Sequence, residues 1–165
     1  MTADFTIRTA QPNDIPDILR LVRGLAEYEH MLDHVTATEA TLHEILFAAV
    51  PRAQAIVAET ERGVAGLGLF YYTVSTFSGR RNIFLEDLFV EPAHRGARIG
   101  LALMRHLAQR AVAERCGRIE WRVLTWNQPA IDFYQRIGSE PVTDWQTRQL
   151  AGDGLVALAE GTSHG

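Results

Sequence analysis

Apolar and polar positions alternate from Phe5 to Thr9, the period of a half-buried strand. Next, Ile15, Ile18, Leu19, Val22, Leu25 and Ala26 recur at spacings of three and four, which predicts a helix with Asn13 as its cap. Thr36 followed by Glu39 has capping-box spacing and opens a second helix through Leu42, Ile45 and Leu46. Two strand-like runs, Gln54 to Thr60 and Val64 to Thr73, flank Glu61-Arg62-Gly63 and predict an antiparallel hairpin. A further strand spans Asn82 to Val90. A long helical pattern from about Ala97 to Arg115 follows, then a strand from Arg118 to Leu124. A short helix from about Gln128 to Ile137 stops at Gly138, a natural C-cap. The tail from Ser139 is expected to add one or two edge strands. Hairpins together with a strand–helix–strand crossover imply a mixed, mostly antiparallel sheet flanked by helices, an α/β (α+β) class. No repeat, low-complexity tract or linker divides the 165 residues, so one domain is expected.

Composition narrows the functional classes. Hydrophobic residues make up 47% and charged residues 22%, enough apolar material for a core without metal or disulfide staples. The net charge of −4 argues against a broad nucleic-acid-binding surface and suits a small cationic partner. Cys116 is the only cysteine, so no intrachain disulfide or multi-cysteine metal site can form. No apolar run approaches the roughly 18 residues needed to span a bilayer. The expectation is a cytoplasmic protein without membrane partners.

Three stretches could carry chemistry. The first is Asn82-Ile83-Phe84-Leu85-Glu86-Asp87-Leu88-Phe89-Val90, apolar on both faces, as in a central strand covered on both sides. Glu86 and Asp87 interrupt it, and a buried carboxylate needs a cation, a donor or a wet cleft. Adjacent strand residues point oppositely, so both acids can line one cleft only if the strand bulges. Alternatively, each acid pairs with a nearby arginine or caps an edge. The second stretch, His94-Arg95-Gly96-Ala97-Arg98-Ile99-Gly100, opens the long helix. Its glycines, free amides and two arginines could cradle a phosphate or pyrophosphate, or form only a glycine-softened turn. It matches neither the Walker loop nor the dinucleotide fingerprint. In the third, Asn127 can cap the short helix, Pro129 is tolerated in its first turn, and Tyr134 shares a face with Ala130 and Ile131. Taken alone, Tyr134 reads as a core aromatic. His30 and His34 have i, i+4 spacing but no third ligand, so no metal site is expected. Cys116 lacks an activating pattern.

Taken in order, these stretches resemble the GNAT superfamily of acyl-CoA-dependent N-acetyltransferases. Arg95 to Gly100 is similar to its pyrophosphate-binding signature, and Asn127 to Tyr134 to the segment bearing its catalytic tyrosine. Leu25-Ala26-Glu27-Tyr28-Glu29, Leu85 to Val90 and Trp126-Asn127-Gln128-Pro129 further resemble the spermidine/spermine (diamine) and thialysine acetyltransferases. The similarity spans roughly Phe5 to Gly138 and thins beyond Trp145. It implies a GNAT-type domain that moves acetyl from acetyl-CoA directly to a primary amine of a small cationic acceptor. Other amines, such as an aminoglycoside, amino acid or peptide terminus, and a non-catalytic acyl-CoA-binding module are the alternatives.

The resemblance also implies roles for individual residues. Leu88, Phe89 and Val90 would hold the pantetheine arm. Arg95, Gly96, Ala97, Arg98, Ile99, Gly100 and Leu101 would hold the pyrophosphate. Asn127, Pro129, Ala130 and Tyr134 would meet the rest of the cofactor, with Tyr134 donating to the thiol sulfur. Glu86 would be the second catalytic residue, and Tyr28, Glu29, Glu86 and Asp87 would bind the amine. A homodimer is implied as well. Arg98 departs from the pattern, since the superfamily usually has glycine there.

Overall fold

A computed structural model describes residues 5–162. The chain divides into two compact units, one ending at Arg122 and the other starting at Val123. In the first, β1 (Phe5–Thr9) leads into α1 (Ile15–Tyr28) and α2 (Glu39–Phe47), followed by β2 (Gln54–Thr60), β3 (Gly63–Ser75), β4 (Arg80–Val90), α3 (Ile99–Ala113) and β5 (Ile119–Trp121). The sheet order is β1-β2-β3-β4-β5, antiparallel except for the parallel β4–β5 pair. The mixed, mostly antiparallel sheet flanked by helices is therefore as expected, as is the β2–β3 hairpin.

Each face of the sheet has its own apolar layer. Ile15, Ile18, Leu19 and Leu21 of α1, with Leu42 and Leu46 of α2, cover Ala55, Val57, Leu67, Leu69 and Phe89. On the opposite face α3 comes so close that a Cβ on Gly66 would lie 2.9 Å from Ile99 Cγ2 and 3.4 Å from Leu103 Cδ1. Only glycine admits that approach. Both helices bury the apolar stripe that sequence periodicity marks, which removes water from the two faces of the central strands.

Several boundaries differ from expectation. Asn13 does not cap α1, because Pro12–Asp14 form a 3₁₀ turn that runs straight into it. The box before α2 closes through Thr38 and Thr41, not Thr36 and Glu39. The Thr41 amide donates to Thr38 Oγ1 at 3.2 Å and the Thr38 amide donates to Thr41 Oγ1 at 2.9 Å. The long helix starts at Ile99 because Arg98 is left-handed, with φ 64°, and it ends at Ala113 ahead of left-handed Arg115. β5 is three residues long, ending at Trp121 and short of Leu124. The second unit holds α4 (Gln128–Arg136) and α5 (Gly152–Ala159). Its described residues form no strand, which corrects the expected edge strands after Ser139. The run Leu155-Val156-Ala157-Leu158-Ala159 has no period-two alternation to build one. Among the described residues no helix is long and apolar enough to cross a membrane.

One ion-pair cluster ties β1 to its neighbours. Arg8 donates to both carboxylate oxygens of buried Asp14, at 2.7 and 2.9 Å, and also to Glu59 on β2. The Gln11 amide donates to Asp14 Oδ2 at 2.7 Å. Hydrogen bonds from Arg8 hold the Asp14 carboxyl below its ordinary value. A lowered folded-state pKa stabilises the fold above the unfolded value and loses that contribution as pH falls through the folded one. Arg8→Gln should therefore cost about 1–3 kcal/mol near neutral pH. The difference from the wild type should shrink as the pH is lowered below about 4, where Asp14 is protonated in the unfolded chain. Urea unfolding at several pH values measures both.

Candidate active site

The site begins with a register slip. β4 pairs with β3 from Ser75↔Arg80 to Phe70↔Leu85, and the pairing resumes at Leu69↔Asp87. Glu86 is the extra residue, a β-bulge. Leu69 belongs to the layer under α1, so Asp87 opposite it faces that side. Glu86 turns to the same side, where the hydroxyl of Tyr71, itself packed against that layer, donates to Glu86 Oε2 at 3.3 Å. The bulge that the sequence demands if both acids are to share a cleft is present.

Glu29, at the C-terminal end of α1, joins them. Desolvation pushes the half-buried Asp87 carboxyl up to about 6, with repulsion from Glu86 and Glu29 adding to it. Burial likewise raises Glu29. Among the described residues neither acid forms an ion pair. Glu86 is more exposed and does have a cation: Arg122 Nη2 lies 3.6 Å from Oε1. The Arg122 guanidinium stands 5.5 Å from the Phe84 ring, which stacks on Tyr71 at 5.2 Å. Tyr71 and Arg122 went unrecognised in the sequence. Their only signal is the strand register, which places Tyr71 opposite Phe84.

Beyond the bulge β4 has an open edge. The ladder to β5 stops at Leu85↔Trp121, so among the described residues no strand pairs with that side of Glu86 to Val90. The Glu91 amide donates to Ala65 O on β3. By the period of two, Leu88 and Val90 direct their main-chain groups away from β3, toward that edge. The Val90 carbonyl accepts from Arg95 Nε at 3.2 Å. The Arg95 guanidinium also lies 5.0 Å from the Tyr28 ring and 5.8 Å from the Phe89 ring. Its side chain thus folds back onto the strand and the end of α1.

The turn into α3 forms a cradle. Gly96 has φ 86°, and a Cβ there would meet nothing within 4 Å. Arg98 follows in the left-handed region, and the first i→i−4 bond of the helix is donated by Ala102 to Arg98. The amides of Ile99, Gly100 and Leu101 therefore have no acceptor within α3 and carry the positive end of its dipole. The Arg95 amide already donates to Pro92.

In the second unit the side chain of buried Asn127 caps α4, accepting from the Ala130 amide at 3.3 Å. Pro129 occupies the first turn. Tyr134 is half-buried beside Phe133, with ring centroids 5.3 Å apart. Gly138, at φ 89°, follows the helix end as expected.

Residues 19–138 match the acetyltransferase (GNAT) family. The chain belongs to this family. It is 36% identical over 164 residues to a thialysine N-epsilon-acetyltransferase of Bos taurus, covering 93% of this chain and 96% of that one. It is 32% identical to spermidine/spermine N(1)-acetyltransferase-like protein 1 of Homo sapiens, over 82% of this chain and 20% of that longer protein. An integron cassette protein from V. cholerae shares the fold with a TM-score of 0.80 and 26% identity, covering 95% and 98% of the two chains. As a GNAT acetyltransferase the chain is an enzyme, and acetyl-CoA is its family's co-substrate.

Arg98 is left-handed, which costs a side-chain-bearing residue about 1–2 kcal/mol. Arg98→Gly should raise stability by about 1 kcal/mol, read as a higher thermal midpoint. Asp87 gives a second test. A raised folded-state pKa stabilises below the unfolded value and loses that contribution as pH rises through about 6. Asp87→Asn should therefore raise the unfolding free energy at pH 8 by a few kcal/mol at most. The gain should vanish near pH 4.

Proposed function

We propose that the protein transfers the acetyl group of acetyl-CoA to a primary amine of a small cationic acceptor, such as a diamine, a polyamine or thialysine. The observation that carries this reading is the bulge, which brings Glu86 and Asp87 to the side of Glu29. Two half-buried carboxylates without a cation are the electrostatic complement of an ammonium group. The names of the two acetyltransferase relatives agree with it. An aminoglycoside, amino acid or peptide terminus fits less directly. A non-catalytic acyl-CoA-binding role would require neither Glu86 nor Tyr134. The reading includes a single domain over residues 1–165, a homodimer as the family resemblance implies, and a cytoplasmic location suited to one unpaired cysteine.

The residues present fit acetyl-CoA. Leu88 and Val90, with Phe89 between them, would hold the pantetheine arm along the open edge, much as a missing strand would be held. Gly96 to Leu101 would hold the pyrophosphate at the start of α3. The family resemblance adds Asn127, Pro129, Ala130 and Tyr134 as residues that would meet the rest of the cofactor. When bound, acetyl-CoA supplies a thioester whose carbon accepts the amine and whose sulfur leaves.

The chain's own task is proton traffic. An amine of pKa near ~10.4 must lose a proton at pH 7, which costs about 4.6 kcal/mol in water. Desolvation and a second ammonium on the acceptor reduce that cost, whereas Asp87 and Glu29, which favour the bound ammonium, oppose it. Glu86, oriented by Tyr71 and Arg122, takes the proton through water and passes it to solvent. The Leu88 amide would be the donor to the thioester oxygen. Tyr134 would donate a hydrogen bond to the thioester sulfur and would give up its proton late, because its hydroxyl is the weaker acid by reference values.

Thiol release from acetyl-CoA across a panel of diamines, polyamines, thialysine, aminoglycosides and peptides tests the reading. Saturable turnover with short diamines or thialysine is expected, and turnover only with peptides would overturn it. Tyr134→Phe should lower kcat by about 100-fold and leave acetyl-CoA affinity within about twofold.

A further inference from the structure

Among the described residues one cation pairs with an acid of the bulge, and the proposed reaction uses only its contact with Glu86. Arg122 immediately follows β5, and its guanidinium reaches back across Phe84 to stand 3.6 Å from Glu86 Oε1. That separation is longer than a normal charge-assisted hydrogen bond. The side chain is 62% exposed, so it contributes little to the core. Tyr71 already orients the other oxygen of Glu86. What remains for Arg122 is its charge, held against Glu86, the residue before Asp87 on the same side of the sheet.

We propose that Arg122 is a specificity-determining residue, a fixed cation that disfavours acceptors with three or more ammonium groups and favours diamines and acceptors that also carry a carboxylate. The inference rests on the amine-acetylating reading above and deepens it. An acceptor whose reacting amine lies at Glu86 has all its nearby charges within roughly a Debye length of Arg122. A diamine leaves one ammonium for Glu29 and Asp87 once its reacting amine is neutral. Each further ammonium meets a guanidinium as well as carboxylates already engaged. A carboxylate on the acceptor meets the same guanidinium with the opposite sign. At about 7 Å and an effective dielectric constant between ~40 and ~80, one such charge changes kcat/KM by about three- to sevenfold.

The test compares Arg122→Ala, Arg122→Lys and the wild type, as full-length enzyme, on propane-1,3-diamine, spermine and thialysine at low and high salt. In Arg122→Ala the spermine-to-diamine ratio of kcat/KM should rise about three- to sevenfold and the thialysine-to-diamine ratio should fall by a similar factor. Arg122→Lys should keep the wild-type ratios, and high salt should shrink the differences. An equal loss on all three acceptors would show that Arg122 acts only by positioning Glu86, and would overturn the inference while leaving amine acetylation intact. Unchanged ratios in Arg122→Ala would overturn it in the same way. If the wild type turned over none of the three amines while still binding acetyl-CoA, the amine-acetylating reading would fall and the inference with it.

Discussion

One residue too many in β4 organises the acidic side of this enzyme. Without a bulge, Glu86 and Asp87 would point to opposite faces, one under α1 and one under α3. The α3 face of the sheet is apolar and tightly closed, with Gly66 pressed against Ile99. A carboxylate forced into it would lack both water and a partner. Placing Glu86 as the unpaired residue between Leu85 and Asp87 sends both acids to the α1 side and keeps Leu85 under α3. Strand register thus decides which chemistry the site contains.

The same strand supplies a second resource. Because β5 stops pairing at Trp121, the main chain of Leu88 and Val90 faces an edge that no strand among the described residues fills. Backbone groups demand partners wherever they are buried, so such an edge is suited to an extended, amide-bearing ligand. The start of α3 follows within a few residues, and its unpaired amides offer the complementary site for phosphate charge. Side chains play a small part in either feature. Position 98 supplies a left-handed turn and its amide geometry, and arginine meets that demand at a conformational cost.

The two carboxylate clusters of the first unit show opposite uses of the same group. Asp14 is matched by two bonds from Arg8 and one from the Gln11 amide, and its ionised form is stabilised. Asp87 and Glu29 are burdened by desolvation and form no ion pair among the described residues. A fold that only needed stability would have neutralised them. Glu86 lies between these extremes, touched by Tyr71 and Arg122 and partly open to solvent, an arrangement that suits the proton relay proposed for it.

Much of this was written in the periodicity. The α1 stripe from Ile15 to Ala26, the β2–β3 hairpin and the stop of α4 at Gly138 follow from local pattern and turn chemistry, because apolar faces must be buried and glycine tolerates positive φ. The glycine-rich turn before α3 and the acids inside an apolar strand were also legible, together with the family they resemble. Local pattern misjudged the caps at Asn13 and Thr36, where neighbouring residues offered better hydrogen bonds. It also read strands into the tail after Ser139, where helix α5 forms instead. The bulge at Glu86, the engagement of that carboxylate by Tyr71 and Arg122, and the retreat of Arg95 onto Val90 and Tyr28 were decided only by tertiary structure. Each depends on which residues of separate segments face one another, and a one-residue slip in strand pairing changes every such neighbour.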